Sequence, residues 1–188
     1  MLPFLLCTWL ALSPDGRTVW VAREDPPRIV RLEVSGTAPS GAIRLPFVPT
    51  GLTAGAQRLY VTDDAAVRTV DLSGQVGPPL ATGRGATWPV LGPDARTLYV
   101  CNRFDSTVSI IDATNWKLRA TVRVCREPVA AAPTPDGRRL LTACLLPEDP
   151  LTAEQVAAKV AVIDTEKAAV ERFIALPNGS RSEEHTSE

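Results

Sequence analysis

A motif that recurs four times constrains the fold of this chain more than any other feature of its sequence. The motif is a turn followed by a β-rich run. Its copies are SPDGRTVWVA from Ser13, TAGAQRLYVT from Thr53, GPDARTLYVC from Gly92 and TPDGRRLLTA from Thr134. Successive copies begin 40, 39 and 42 residues apart. Periods near forty, with several short strands in each unit, are typical of β-propellers and other stacked arrays.

The residue types in each copy explain why it should form strands and turns. In the first, third and fourth copies proline presets φ for a turn, aspartate bonds to nearby backbone, and glycine follows, with Ala95 in its place in the third copy. Apolar and aromatic residues then alternate with polar ones, as a half-buried strand requires. A second landmark is an aspartate after two apolar residues, at Asp71, Asp112 and Asp164. We expect these carboxylates to cap the backbone of hairpin turns.

The run from Leu98 to Val124, LYVCNRFDSTVSIIDATNWKLRATVRV, resembles the YVTN-type β-propeller repeat. The run LYVTD from Leu59 is a second near match, and the resemblance covers Leu10 to about Gly179. It implies that each repeat is one blade of four antiparallel strands, and that a complete propeller closes with about seven blades. We therefore predict an all-β chain with about four blades of such a propeller.

The repeats divide the chain into blades at residues 9–48, 49–87, 88–128 and 129–180, with Trp9–Leu12 as the innermost strand of the first. Residues 181–188, RSEEHTSE, break the pattern. They resemble a translated sequencing adapter, read as the codons AGA TCG GAA GAG CAC ACG TCT GAA. We therefore expect the native reading frame to be lost after about Ser180, the chain to be a fragment, and the tail to be disordered.

Composition and charge argue against several function classes. The net charge is −1 with basic residues scattered along the chain, so there is no electrostatic footprint for nucleic acid. The apolar segment Met1–Leu12 is too short to span a bilayer and lacks the basic start of a signal peptide. The single histidine, His185, lies in the tail. Without the tail no histidine remains, which excludes a Ser-His-Asp or Cys-His arrangement, a His-ligated metal and a c-type haem attachment, and we assign no catalytic, cofactor-binding or metal-ligating residue in this fragment.

Several polar residues and cysteines are predicted to meet at one rim of the propeller. In a four-stranded meander, the ends of second strands and the connections between blades lie on the same side. The residues placed there are Cys101, Asn102, Arg103, Asp105, Cys125, Arg126, Glu127 and Cys144. No two cysteines form a Cys-x-x-Cys pair, so free thiols, a disulfide that uses Cys125, and a metal or redox site all remain open.

Two other stretches carry alternatives. The fourth unit has ten extra residues, and Thr152-Ala153-Glu154-Gln155 matches a capping box, which predicts either a helical turn on a binding face or a tolerated loop expansion. The adjacent carboxylates of Asp63 and Asp64 lie in a tight turn, where they are either solvated or hold a cation.

The leading functional hypothesis is a non-catalytic scaffold that presents its loop rim to a protein or small ligand. The family resemblance implies an exported bacterial protein, periplasmic or extracellular, whose further blades would be its closest partners. The alternative is the propeller portion of a larger exported oxidoreductase, a c-type cytochrome-linked enzyme or a lactonase-like hydrolase. Its catalytic residues would then lie outside this fragment.

Overall fold

A computed structural model describes residues 9–146 and 158–176 of the chain. Within these residues, sixteen strands form four antiparallel sheets of four strands each. The predicted all-β, blade-like architecture is confirmed. The predictions for the segment before Trp9, for the insertion at 147–157 and for the tail lie outside the described residues.

Each sheet is a meander in which the strands follow chain order. Blade 1 consists of β1 (Trp9–Leu12), β2 (Thr18–Arg23), β3 (Arg28–Glu33) and β4 (Pro39–Arg44). Blade 2 consists of β5 (Gly51–Ala54), β6 (Arg58–Thr62), β7 (Ala66–Asp71) and β8 (Leu80–Ala81). Blade 3 consists of β9 (Ala86–Leu91), β10 (Thr97–Asn102), β11 (Thr107–Asp112) and β12 (Lys117–Arg123). Blade 4 consists of β13 (Arg126–Pro133), β14 (Arg139–Leu146), β15 (Lys159–Asp164) and β16 (Ala169–Ala175).

The aspartates that end the third strands cap hairpin turns, as predicted. Asp112 Oδ1 accepts hydrogen bonds from the backbone N–H groups of Thr114 at 2.8 Å and Asn115 at 3.0 Å. Equivalent bonds from the next turn reach Asp71 and Asp164. These carboxylates satisfy backbone donors that the strand ladder leaves free, and so fix where each strand reverses.

The Pro-Asp turns between first and second strands place their third residue in the left-handed region. Gly16 and Gly137 both have φ of 70°, and Ala95 has φ of 53° at the equivalent point. The preceding aspartate holds this turn, because Asp94 Oδ1 accepts from the N–H groups of Arg96 at 2.9 Å and Thr97 at 3.0 Å. Ala95 therefore carries backbone strain that glycine avoids in two other copies.

The blades bury their faces against one another in sequence. The innermost strands β1, β5, β9 and β13 are neighbours in that order. An apolar cluster fills each of the three spaces between successive blades. In each cluster an aromatic residue of one second strand packs with an aliphatic residue of the next: Trp20 with Leu59, Tyr60 with Leu98, and Tyr99 with Leu140. The core of this protein is thus the set of contacts between sheets.

Replacing Ala95 with glycine should stabilise the protein. The left-handed backbone costs an L-residue on the order of 1 kcal/mol, partly offset by the extra freedom of glycine in the unfolded chain. We expect Ala95→Gly to raise the free energy of unfolding by up to about 1 kcal/mol in urea titrations at one protein concentration. The matched change is Gly16→Ala, where an added Cβ meets no atom within 4 Å. It should lower stability by a similar amount, and a rise in stability there would contradict the explanation.

The hairpin aspartates should make stability depend on acid pH. The backbone N–H of Asn115, and then its side-chain amide, lower the pKa of Asp112. A lowered folded-state pKa contributes stability above the unfolded value, and this is lost as pH falls through the folded value. We expect urea stability to decline below about pH 4. Asp112→Asn should be less stable than the unchanged protein at pH 7, with the gap narrowing at low pH. A gap independent of pH would contradict this assignment.

Candidate functional site

A cleft opens on the axis at the end of the molecule where the innermost strands begin. Its volume is about 310 Å³, which is in the range of small-molecule sites. All four blades contribute to its lining. The starts of the innermost strands, the loops between the second and third strands, and the connections between blades all lie at this end. The main contributors are Trp9, Glu24, Thr50, Asp64, Arg103, Phe104 and Val129.

Trp88 connects three blades beside this cleft. It lies in a bulge of β9, where the register with β10 shifts, and its φ is 47° although Pro89 follows it. The indole contacts blades 1 and 4, which lie on opposite sides of blade 3. The indole N–H donates to the Ala131 carbonyl at 3.1 Å, and the ring meets Trp9 edge-on at 6.2 Å between centroids. Strained backbone that re-aims a side chain is typical of functional positions.

Glu127 has the same unusual backbone in blade 4. Its φ is 53° and Pro128 follows, as in the Trp88-Pro89 pair. Its Oε2 accepts from Arg103 Nε at 3.0 Å and Nη2 at 2.8 Å. The ion pair joins the loop after β10 to the start of β13 and balances the positive charge of Arg103. Because both side chains are partly exposed, the pair contributes modestly to stability.

Phe104 forms an exposed aromatic wall of the cleft. Its ring is 57% exposed and packs on Gly85, where an added Cβ would lie 2.7 Å from Phe104 Cδ2. The adjacent Asp105 accepts from the backbone N–H and from Nε of Arg84, both at 2.8 Å, and these bonds lower the pKa of Asp105. The short 3₁₀ turn Arg103–Asp105 is thereby tied to the connection that precedes β9.

Hydroxyl groups hold the beginnings of β5 and β9 together at the floor of the cleft. Thr50 Oγ1 donates to the Ala86 carbonyl at 2.6 Å, and Thr87 Oγ1 donates to the Thr50 carbonyl at 2.7 Å. The approach is so close that a Cβ on Gly51 would lie 2.5 Å from Pro89 Cδ. Only glycine fits at this position without displacing a neighbouring blade.

The three described cysteines come together, but in the core. Cys101, Cys125 and Cys144 belong to the apolar cluster between blades 3 and 4 and are at most 3% exposed. Cys125 and Cys144 form a disulfide with their Cα atoms 5.8 Å apart, while Cys101 is a free thiol. Burial raises the pKa of Cys101 to about 12, so it is un-ionised at neutral pH. Of the alternatives that the sequence left open, the structure therefore contains the disulfide through Cys125.

The remaining predicted rim residues divide into two groups. Arg103 lines the cleft, with Glu127 and Asp105 bonded beside it, and Arg126 is exposed at the start of β13. Asn102 is fully buried instead. Its Nδ2 donates to Thr107 Oγ1 and Ser109 Oγ, both at 2.9 Å, and this places it in the structural ladder of blade 3.

The sequence pattern does not point to Trp9, Glu24 or Phe104 as binding residues, and it offers Asp64 only as half of a carboxylate pair with Asp63. Asp63 in fact caps its turn and pairs with Arg68, so only Asp64 faces the cleft. Their positions in the repeat could have identified them. Each lies at the start of an innermost strand or in the loop between the second and third strands of its blade.

Residues 9–146 and 158–176 contain neither a clustered metal site nor a membrane-spanning helix. No group of three or more His, Cys, Asp or Glu side chains there is arranged to hold a metal ion. No helix in those ranges is long and apolar enough to cross a membrane.

Comparisons with known proteins bear on the fold. No family model and no curated protein sequence matches the chain. Among solved structures it is similar to hydrazine synthase from Kuenenia stuttgartiensis, with a TM-score of 0.80 and 17% identity. The fold is that of a β-propeller. The match covers 93% of this chain and 50% of that chain, so this chain spans half of the structure it resembles. At this identity the likeness shows the fold alone.

Removing the disulfide should weaken the fold. The bridged cysteines are 19 residues apart, and a bridge over such a loop stabilises a protein by about 2–4 kcal/mol. We expect Cys144→Ala to lower the free energy of unfolding in urea by this amount. Reductant should destabilise the unchanged protein similarly and leave the variant unaffected. A thiol titration of unfolded, unreduced protein that found every cysteine free would refute the bridge.

Proposed function

We propose that this chain is a non-catalytic binding scaffold whose axial cleft receives a small ligand or a side chain of a partner protein. The observation that supports this most directly is the cleft itself, which draws residues from all four blades. Its walls are set by strand ends, a bulge and paired side chains rather than by long free loops. A preorganised concave site of this kind binds a ligand with little entropy cost for ordering its own loops and side chains.

The charges and rings of the cleft favour a cation that also carries apolar groups. Three charged residues line the cleft: Glu24, Asp64 and Arg103. Because Glu127 neutralises Arg103, the two carboxylates dominate the local charge. Phe104 and Trp9 add aromatic surface, which attracts organic cations through the ring quadrupole.

The proposed wider context follows from the sequence resemblance. We place the chain among YVTN-type repeat proteins and in an exported bacterial protein, periplasmic or extracellular. The support is the LYVCN and TVSIID runs of blade 3 and the buried disulfide, since disulfides persist in oxidising compartments.

A titration with tetramethylammonium chloride tests the proposed ligand class. Binding is measured by saturation-transfer NMR on the whole chain, with tert-butanol as the uncharged probe of similar shape and sodium chloride as the ionic-strength control. We expect the cation to bind and the alcohol to bind at least about tenfold more weakly. Phe104→Ala should weaken cation binding about fivefold, and Glu24→Gln with Asp64→Asn about tenfold.

The matched control is Glu166→Gln, which removes an exposed carboxylate from a turn outside this cleft. It should leave cation binding unchanged. Equal binding of the two probes, or equal losses in the control and cleft variants, would show that the cleft is not a cation site.

A further inference from the structure

Charged and apolar groups occupy different parts of the axial cleft. The carboxylates of Glu24 and Asp64 belong to exposed loops between the second and third strands of blades 1 and 2. Phe104 lies in the equivalent loop of blade 3. The apolar lining instead comes from the innermost strands, with Trp9 on β1 and Val129 on β13. The cleft therefore changes from charged to apolar between its loops and its strands.

Trp88 extends the apolar surface beyond the lining of the cleft. It follows Thr87, a lining residue, on the innermost strand of blade 3, and its ring contacts that of Trp9. Its indole N–H donates to the carbonyl of Ala131, which lies two residues farther along β13 than Val129. Two residues of strand span about 6–7 Å. The aromatic surface thus continues from the cleft along the innermost strands.

A large part of Trp88 is open to solvent. The residue is 42% exposed. Blades 2 and 4 cover both faces of blade 3, so this exposed area lies at the edge of its innermost strand beside the cleft, and not on an end face. The positive φ and the hydrogen bond to Ala131 hold the ring in one place. Trp88 is therefore a preorganised apolar surface that meets a ligand without first being ordered.

We propose that the ligand of the axial cleft is an amphipathic ammonium ion, with its charged head among the loops and its apolar tail along Trp9 and Trp88. This ligand presupposes the cation site of the proposed function, and the geometry adds its shape and direction. The carboxylates of Glu24 and Asp64 and the ring of Phe104 attract the head. The tail leaves water against two tryptophan rings, and each buried methylene strengthens binding.

The same arrangement disfavours a lysine side chain of a partner protein. Such a side chain enters a cleft with its ammonium first, which would place the charge beside the tryptophans and the stem among the carboxylates. A free small molecule can enter with its tail first. The geometry therefore assigns the cleft to a free amine or quaternary ammonium compound that carries an alkyl or aryl tail.

Two cations with the same head group test the tail. Tetramethylammonium and butyltrimethylammonium chlorides are titrated into the whole chain by saturation-transfer NMR. We expect the butyl compound to bind about tenfold more tightly, because its additional methylenes leave water. If neither cation binds, the proposed function fails. If both bind equally, the cation site remains and only the tail is refuted.

Two other probes test the direction of the ligand. Pentanoate has a similar tail on an anionic head and should bind at least about tenfold more weakly than butyltrimethylammonium. Nα-acetyl-lysine methylamide carries its ammonium at the tip of a side chain and should bind no more tightly than tetramethylammonium. Binding of either probe as tight as that of the butyl cation would overturn the assigned direction.

Variants identify the surface that the tail contacts. Trp88→Ala should reduce the tenfold ratio between the two cations to about twofold. Trp88→Phe, which keeps a ring, should retain most of it. The matched control is Trp116→Ala, since Trp116 also has a positive φ, of 54°, but stacks on Tyr60 between blades 2 and 3, outside the cleft lining. A ratio unchanged in Trp88→Ala, or reduced equally in Trp116→Ala, would overturn the proposal.

A measurement on the unchanged protein does not depend on how the variants fold. Intermolecular nuclear Overhauser effects from the butyl chain should reach the indole protons of Trp9 and Trp88, while those from the methyl groups of the head should reach the ring of Phe104. Butyl contacts confined to Phe104 would contradict the assigned placement. Circular dichroism checks that each variant is folded before its ratio is compared.

Discussion

Every element of this protein depends on the burial of one sheet against the next. A blade of four short strands has two faces, and in the two middle blades both are apolar. Such a sheet cannot shield either face alone, so its stability comes from its neighbours. The aromatic residues Trp20, Tyr60 and Tyr99 each reach from one blade into the next, and the strands around them tolerate little change in volume.

Near the axis the same packing holds unfavourable backbone in place. Trp88 and Glu127 adopt left-handed φ before proline, a combination that sterics disfavour. Each is held by bonds from another blade: Trp88 through the Ala131 carbonyl and Glu127 through Arg103. In both places a side chain with strained backbone joins its own blade to a neighbouring one beside the cleft, at the expense of local backbone energy.

The features that the sequence could predict are those decided within one repeat. The Pro-Asp turns, the aspartate caps and the strand Trp9–Leu12 depend on residues within a few positions of each other, and all are present. The rim was harder. Asn102 and Cys101 end a strand as expected, yet whether they face solvent depends on which neighbouring sheet covers them. The cleft draws on four blades, so no single repeat contains its pattern.

The disulfide illustrates the same limit. Spacing left a bridge between Cys125 and Cys144 open, because their offsets from the Asp136-Gly137 turn differ by about four residues. In the structure Cys144 pairs with Pro128, β13 has a bulge at Val129, and Cys125 lies just before β13. A single extra residue in one strand decides whether two side chains meet. The repeat pattern does not show where such a bulge occurs, because the residue types on either side of Val129 are compatible with a regular strand.

The order of the four blades also makes stability uneven along the described residues. In a linear array each unit is stabilised only by the units beside it, so blades 2 and 3 have two stabilising neighbours and blades 1 and 4 have one. Local opening of this four-blade array should therefore begin at blades 1 and 4 and reach the middle last, as fraying does in other repeat proteins. The cleft draws Trp9 and Glu24 from blade 1 and Val129 from blade 4. The affinity of the cleft for a ligand therefore depends on blades 1 and 4 being folded. Any interaction that stabilises these two blades should also raise that affinity.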